Sequence, residues 1–104
     1  MVGQTKQFGR IGVLMGGPSS EREISLKSGH AVFDVLSKLG LDVVGIDITT
    51  DSLEENTRLI NSHNINCAFL ALHGRFGEDG QIQKILDDLS LAYTGSGKMA
   101  SQLA

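Results

Sequence analysis

Three stretches of the chain combine residue types able to handle a small charged molecule. The first is Gly16-Gly17-Pro18-Ser19-Ser20-Glu21-Arg22-Glu23. Glycines let a backbone approach a ligand closely, and a carboxylate near the first turn of a helix, as Glu21 would be, suits a ligand ammonium. Pattern alone leaves a second reading open, in which Glu21 only complements the helix dipole. Ser20 and Glu23 have the spacing of a capping box, which accounts for Glu23, while Arg22 has no single reading. In the second stretch, His73 follows an apolar run and precedes Gly74, so a rigid strand end would present its imidazole to a ligand. A hydrogen-bonded structural histidine fits that pattern equally well. Glu78 and Asp79 are adjacent carboxylates, but a helix cap claims Asp79 and a lone carboxylate is no metal site. The third stretch, Thr94-Gly95-Ser96-Gly97, is a glycine turn, and His30 and His63 stand isolated.

Two nucleotide motifs are approached and missed. Gly16-Gly17-Pro18-Ser19-Ser20 does not follow G-x-G-x-x-G, although Asp47 stands where a ribose-binding acid would. Gly97-Lys98 resembles the end of a phosphate-binding P-loop, yet Ala92 occupies the upstream glycine position and Met99 replaces the required Ser or Thr.

The elements that must hold these stretches alternate between strands and helices. Ile11 to Met15 is a short apolar run ending in turn residues, the mark of a buried strand. Ser20 is expected to cap a helix whose apolar positions Ile24, Ala31, Val32, Val35, Leu36 and Leu39 recur until Gly40. Val43 to Ile48 reads as a second strand, followed by a helix capped by Asp51 or Ser52 and fading near Asn61. Cys67 to Leu72 is a third buried run. Asp79 is expected to cap a helix carrying Ile82, Ile85, Leu86 and Leu89, and Leu91 to Tyr93 a fourth strand. A last helical segment would carry Met99, Ala100 and Leu103. Strands alternating with helices pair in parallel through right-handed crossovers, so the expected fold is α/β, a small doubly wound, Rossmann-like four-stranded sheet flanked by helices. Ligands of such sheets bind beyond the carboxyl ends of the strands, where all three stretches fall.

The length of 104 residues suits one domain, read as 11–104 behind a flexible leader of residues 1–10. A 40% apolar and 20% charged composition supports an ordinary core, and a net charge of −3 without basic runs argues against nucleic-acid or anionic-membrane partners. The single cysteine, Cys67, excludes an internal disulfide and reads as a buried small residue. No apolar run approaches the roughly 20 residues of a membrane helix, and the N-terminus lacks a secretory signal, so a cytoplasmic location is expected.

Taken together, the segments resemble one family. Gly16 to Ser25 resembles the first signature of the D-alanine:D-alanine ligases, G-G-x-S-x-E-R-x-I/V-S. Ala71-Leu72-His73-Gly74-Arg75-Phe76-Gly77-Glu78-Asp79-Gly80 resembles their second, A-L-H-G-x-x-G-E-D-G, and Tyr93 to Gly97 their third. The resemblance covers residues 11–104 and implies the N-terminal, pre-ATP-grasp domain of an enzyme that joins two D-alanines through an acyl phosphate for peptidoglycan synthesis. It implies that Glu21 orients the ammonium of the first D-alanine, that His73 stands beside the reacting acyl group, and that Gly16, Gly17 and Ser20 line the substrate site. ATP, Mg2+ or Mn2+, and the residues that read the second substrate would belong to central and C-terminal ATP-grasp domains beyond Ala104. The chain alone is then expected to be inactive, binding neither cofactor nor metal, and the full enzyme to be a homodimer. The alternative is a stand-alone binding or dimerisation module of the same fold.

Overall fold

Four apolar runs become four parallel strands, because successive strands are joined by a helix that returns the chain to the same end of the sheet. The computed structural model describes residues 9–18, 20–72 and 80–95. Its elements are β1 (Arg10–Gly16), α1 (Arg22–Lys38), β2 (Asp42–Ile48), α2 (Leu53–Ser62), β3 (Cys67–Leu70), α3 (Gln81–Asp88) and β4 (Ala92–Gly95). The strand order is β2-β1-β3-β4, with Leu14 of β1 in register with Ile46 of β2 and Leu70 of β3. The β1 to β2 crossover runs one way along the sheet and the later two run the other way. Right-handed crossovers therefore place α1 on one face and α2 and α3 on the other.

Alternation along β1 feeds both faces. Val13 and Met15 pack with Leu26, Val32 and Leu36 of α1, whereas Leu14 joins Ile46, Ile60, Ile82, Ile85 and Leu86 under α2 and α3. Burying each such side chain stabilises the fold by about 1.5–3 kcal/mol. The α3 positions read as a core stripe hold, with Ile82, Ile85 and Leu86 buried and Leu89 packed against the cluster.

Only Val32 and Leu36 of the stripe expected of α1 face the sheet. Ile24 is 54%, Val35 59% and Leu39 68% exposed, and Ala31 is exposed as well. The helix instead buries Ser25 and Gly29, with Val32 and Leu36 half-buried on the same face. The reason is close approach: a Cβ on Gly29 would lie 2.5 Å from Met15 Cβ, so only a bare backbone fits there.

Helix ends also depart from expectation. The N-cap of α1 is Glu21 without a side-chain cap, so the Ser20–Glu23 capping box does not form. Arg22, anchored on neighbouring backbone and on Asp47, sets where this helix starts. Gly40, at φ +82°, closes the helix as foreseen, with Gly40 N–H donating to Ser37 O and Leu41 N–H to Leu36 O. Ser52, rather than Asp51, caps α2 by accepting from Glu55 N–H. The N-cap of α3 is Gly80, at φ +85°, rather than Asp79, because the chain enters through a left-handed turn that glycine adopts without strain. β1 begins at Arg10, whose N–H donates to Asn66 Oδ1 and whose side chain meets Asp42. β3 ends at Leu70 rather than Leu72, and β4 runs to Gly95. The expected last helix, with Met99, Ala100 and Leu103, lies outside the described residues, as do residues 1–8 of the expected leader. Cys67 is half-buried, and desolvation pushes its thiol pKa up.

Candidate functional site

Parallel pairing puts the ends of all four strands on one edge, and the 2-1-3-4 order makes the gap between β1 and β3 the topological switch point. The loop after β1 departs toward α1, while that after β3 departs toward the α3 face. The Gly16-Gly17 turn thus stands across this gap from Ala71 and Leu72.

The β1 loop is built on two left-handed residues, Gly16 at φ +91° and Gly17 at φ +88°. Gly17 N–H donates to Ile48 O at 2.6 Å, tying the turn to the end of β2. A Cβ on Gly16 would stand 2.5 Å from Asp47 Oδ1 and 2.8 Å from Arg22 Nη1. Glycine is therefore required here twice over, by backbone conformation and by the ion pair beside it. Arg22 donates from Nη2 to Asp47 Oδ2 at 2.7 Å and from Nη1 to Ile48 O at 3.1 Å, with a longer 3.5 Å contact to Gly17 O. The hydrogen bond from Asp47 raises the Arg22 pKa above the ordinary arginine value, desolvation opposes the rise, and the Asp47 charge adds to it. Arg22 thereby gains a definite structural place, and the acid at the end of the second strand is occupied by protein rather than held out for a ribose.

Glu21 follows at the helix N-cap, half-buried, its carbonyl accepting from Ser25 N–H at 3.0 Å. Gly16, Gly17 and Glu21 are thus brought together at the mouth of the gap, and Ser20 lies in the intervening turn, exposed. His73, with Gly74 through Asp79, lies outside the described residues. The chain leading to it is described as far as Ala71, buried, and Leu72, half-buried.

Sequence reasoning passed over Ser25 as a site residue. It is fully buried, accepts from Gly16 N–H at 2.9 Å and donates to Ala71 O at 2.5 Å. The signal available was a hydroxyl on the same helical face as Gly29, Val32 and Leu36. A second polar group, Asn56, is buried on the other side of the sheet, its amide donating to Thr50 O and to Gln81 Oε1. Gln81 in turn donates to Asp51 O, so the first turns of α2 and α3 are tied together. His63 is structural, with Nδ1 3.1 Å from Leu59 O, and His30 is exposed on α1.

A hollow of about 540 Å³ lined by Leu53, Glu54, Thr57, Arg58 and Asn61 runs along α2 and takes in no residue of the glycine loops. Among the described residues no cluster of three or more His, Cys, Asp or Glu side chains could hold a metal ion, and no helix is long and apolar enough to cross a membrane.

Comparison with known proteins agrees with this architecture. The family model described as "D-ala D-ala ligase N-terminus" matches residues 10–56 and 49–96. D-alanine–D-alanine ligase B of Pseudomonas putida is 54% identical over 99 residues, which are 95% of this chain and 30% of that protein. The D-alanine–D-alanine ligase of Desulforamulus reducens is 53% identical over 96 residues, 91% of this chain and again 30% of the relative. The chain thus spans under a third of the length of these relatives. Among solved structures, D-alanine–D-alanine ligase from Bacillus anthracis superposes with a TM-score of 0.68 at 38% identity, covering 82% of this chain and 27% of that one. A second structure of that enzyme, complexed with ATP, gives 0.67 at 36% identity, covering 82% and 28%. By family model, sequence and fold alike, the chain belongs to the D-alanine–D-alanine ligase family and is an N-terminal domain of that family.

Proposed function

We propose that this domain supplies part of the first D-alanine site of an ATP-dependent D-alanine–D-alanine ligase serving peptidoglycan synthesis. The observation that carries the reading is the position of Glu21. A carboxylate at a helix N-cap, four residues after two left-handed glycines at the switch point, is where a small zwitterion would find a partner for its ammonium. Gly16 and Gly17 are assigned to the lining through their backbone, and Ser20, exposed in the turn, to the rim. His73, two residues beyond Ala71, is assigned the reacting acyl group, where an imidazole can donate to developing oxyanion charge.

ATP supplies the phosphoryl group that activates the first D-alanine carboxylate, and the amine of the second D-alanine then displaces phosphate. ATP and Mg2+ are assigned to the part of the relatives that this chain does not span, so the chain alone is proposed to be inactive. The test is a chimera in which this chain is continued by the rest of the Pseudomonas putida ligase. It should release phosphate dependent on D-alanine and form the dipeptide. The chain alone should show no saturable binding of ATP with magnesium. Micromolar ATP affinity in the chain alone, or an inactive but folded chimera, would overturn the assignment.

Self-association is proposed as a second property of the domain. The exposed stripe Ile24, Ala31, Val35 and Leu39 is flanked on one side by Glu23, Lys27, Asp34 and Lys38, all exposed. At about 3.6 residues per turn these four lie on one flank of the helix. Two antiparallel copies of α1 bring Glu23 opposite Lys38 and Lys27 opposite Asp34, both pairs sharing a midpoint between His30 and Ala31. A surface complementary to itself in this way is what a two-fold dimer requires.

A further inference from the structure

We infer that Ser25 is a positioning residue that sets the spacing between the carboxyl ends of β1 and β3, at Gly16 and Ala71. Its kinetic consequence rests on the ligase reading above; its geometry does not. In a parallel ladder the bonds advance by two residues at a time. Ala71 N–H donates to Leu14 O at 2.9 Å, so the next rung in register would run from Gly16 N–H to Ala71 O. That direct rung is replaced. The Ser25 hydroxyl accepts from Gly16 N–H at 2.9 Å and donates to Ala71 O at 2.5 Å. One oxygen is inserted where the two strands would otherwise close, and both backbone groups remain satisfied inside a site where Ser25 is fully buried.

Strands at a switch point must part, because their loops leave toward opposite faces. Parting leaves the last donor of one strand and the last acceptor of the other without partners, and a hydroxyl that accepts one bond and donates one serves both. Ser25 also lies one helical turn after Glu21, where its N–H makes the ordinary backbone bond of the helix to Glu21 O at 3.0 Å. Its hydroxyl therefore joins the Gly16 turn to Ala71 from the first turn of the helix that carries Glu21 at its N-cap. Without the hydroxyl, Gly16 N–H and Ala71 O either stay unpaired or bond directly and draw the two loops together. Either outcome displaces Glu21 relative to the segment after Ala71.

The test uses the chimera with the remainder of the Pseudomonas putida ligase and the variants Ser25→Ala and Ser25→Thr. Ile60→Val, in the core on the opposite face of the sheet, serves as a stability control. Below all melting temperatures, Ser25→Ala should raise the KM for the first D-alanine and lower kcat/KM by about tenfold, the scale of one unmade buried hydrogen bond. Ser25→Thr, which keeps the hydroxyl, should stay within about threefold of the parent on the same scale. Amide exchange of Gly16 should quicken in Ser25→Ala and not in Ser25→Thr. If Ser25→Ala does not fold, Ser25→Cys takes its place, its thiol being a larger and weaker partner. Parental kinetics in Ser25→Ala, or a loss no greater than that of Ile60→Val, would reduce Ser25 to a fold-stabilising residue. If the parent chimera forms no dipeptide, the ligase reading fails by itself, and unchanged Gly16 protection in Ser25→Ala would then overturn the spacer.

Discussion

At the scale of single residues, the two proposed substrate contacts should fail in different ways. Glu21 would pair with a charge present in the ground state, so Glu21→Gln in a complete ligase should weaken binding of the first D-alanine. Loss of a charge-assisted hydrogen bond costs on the order of 1.5–3 kcal/mol, a roughly ten- to hundredfold rise in the first-site KM. His73 would matter chiefly where negative charge develops, so His73→Gln should lower kcat with a smaller effect on KM. Initial rates with ATP saturating and the two D-alanine sites resolved separate these outcomes. An unchanged first-site KM in Glu21→Gln would return Glu21 to complementing the helix dipole. Arg22 belongs to this scale too. Its bonds to Asp47 and Ile48 O lock the turn from which Glu21 projects, which explains an arginine beside the acid without giving it a substrate.

At the scale of elements, the seat of α1 on the sheet decides the site, because α1 carries both Glu21 and Ser25. That seat is close by construction, with Gly29 lying against Met15. Alanine normally stabilises a helix interior by about 1 kcal/mol over glycine. Here its methyl would meet Met15 Cβ at 2.5 Å and Sδ at 2.9 Å, and although the thioether can swing away, the Cβ cannot. Overpacking of about 1–3 kcal/mol should therefore win, and Gly29→Ala should be net destabilising in denaturant unfolding. Adding Met15→Gly, which removes that Cβ, should make the Gly29→Ala step less costly in a double-mutant cycle. A stabilised Gly29→Ala single variant would show that α1 is free to lift off the sheet. Sequence reading captured this helix's length and its glycine stop but not its orientation. Its apolar residues suggested a stripe through Ile24, Ala31, Val32, Val35, Leu36 and Leu39, whereas the sheet takes only Val32 and Leu36 of these, beside the small Ser25 and Gly29.

At the scale of the whole molecule, that misplaced stripe becomes informative, since three large apolar side chains remain exposed along one side of α1. If two copies pair through it, Val35→Asp should raise the dimer dissociation constant at least about tenfold by burying an unpaired charge. Lys38→Glu should weaken the dimer by placing like charges together, and Glu23→Lys combined with Lys38→Glu should restore it. Each exposed pair is worth only about 0.2–1 kcal/mol, so the apolar stripe supplies most of the association. Sedimentation equilibrium of the complete protein gives the answer, and a monomer at tens of micromolar would exclude the pairing.

The sequence by itself determined the alternation of strands and helices, the parallel sheet, the Gly16-Gly17 turn at its carboxyl edge and the family, because these follow from local periodicity, turn chemistry and contiguous motifs. Glu21 was legible as a candidate for the same reason, being part of an unbroken string with Gly16 and Gly17. Tertiary structure alone decided which face of α1 is buried, where that helix begins, and that Arg22 and Asp47, 25 positions apart, form one pair. It alone showed Ser25 standing between Gly16 and Ala71, 46 positions from the latter. A hydroxyl inserted into a ladder leaves no periodic trace, since its partners are backbone groups brought near only when β1 and β3 have paired and begun to part.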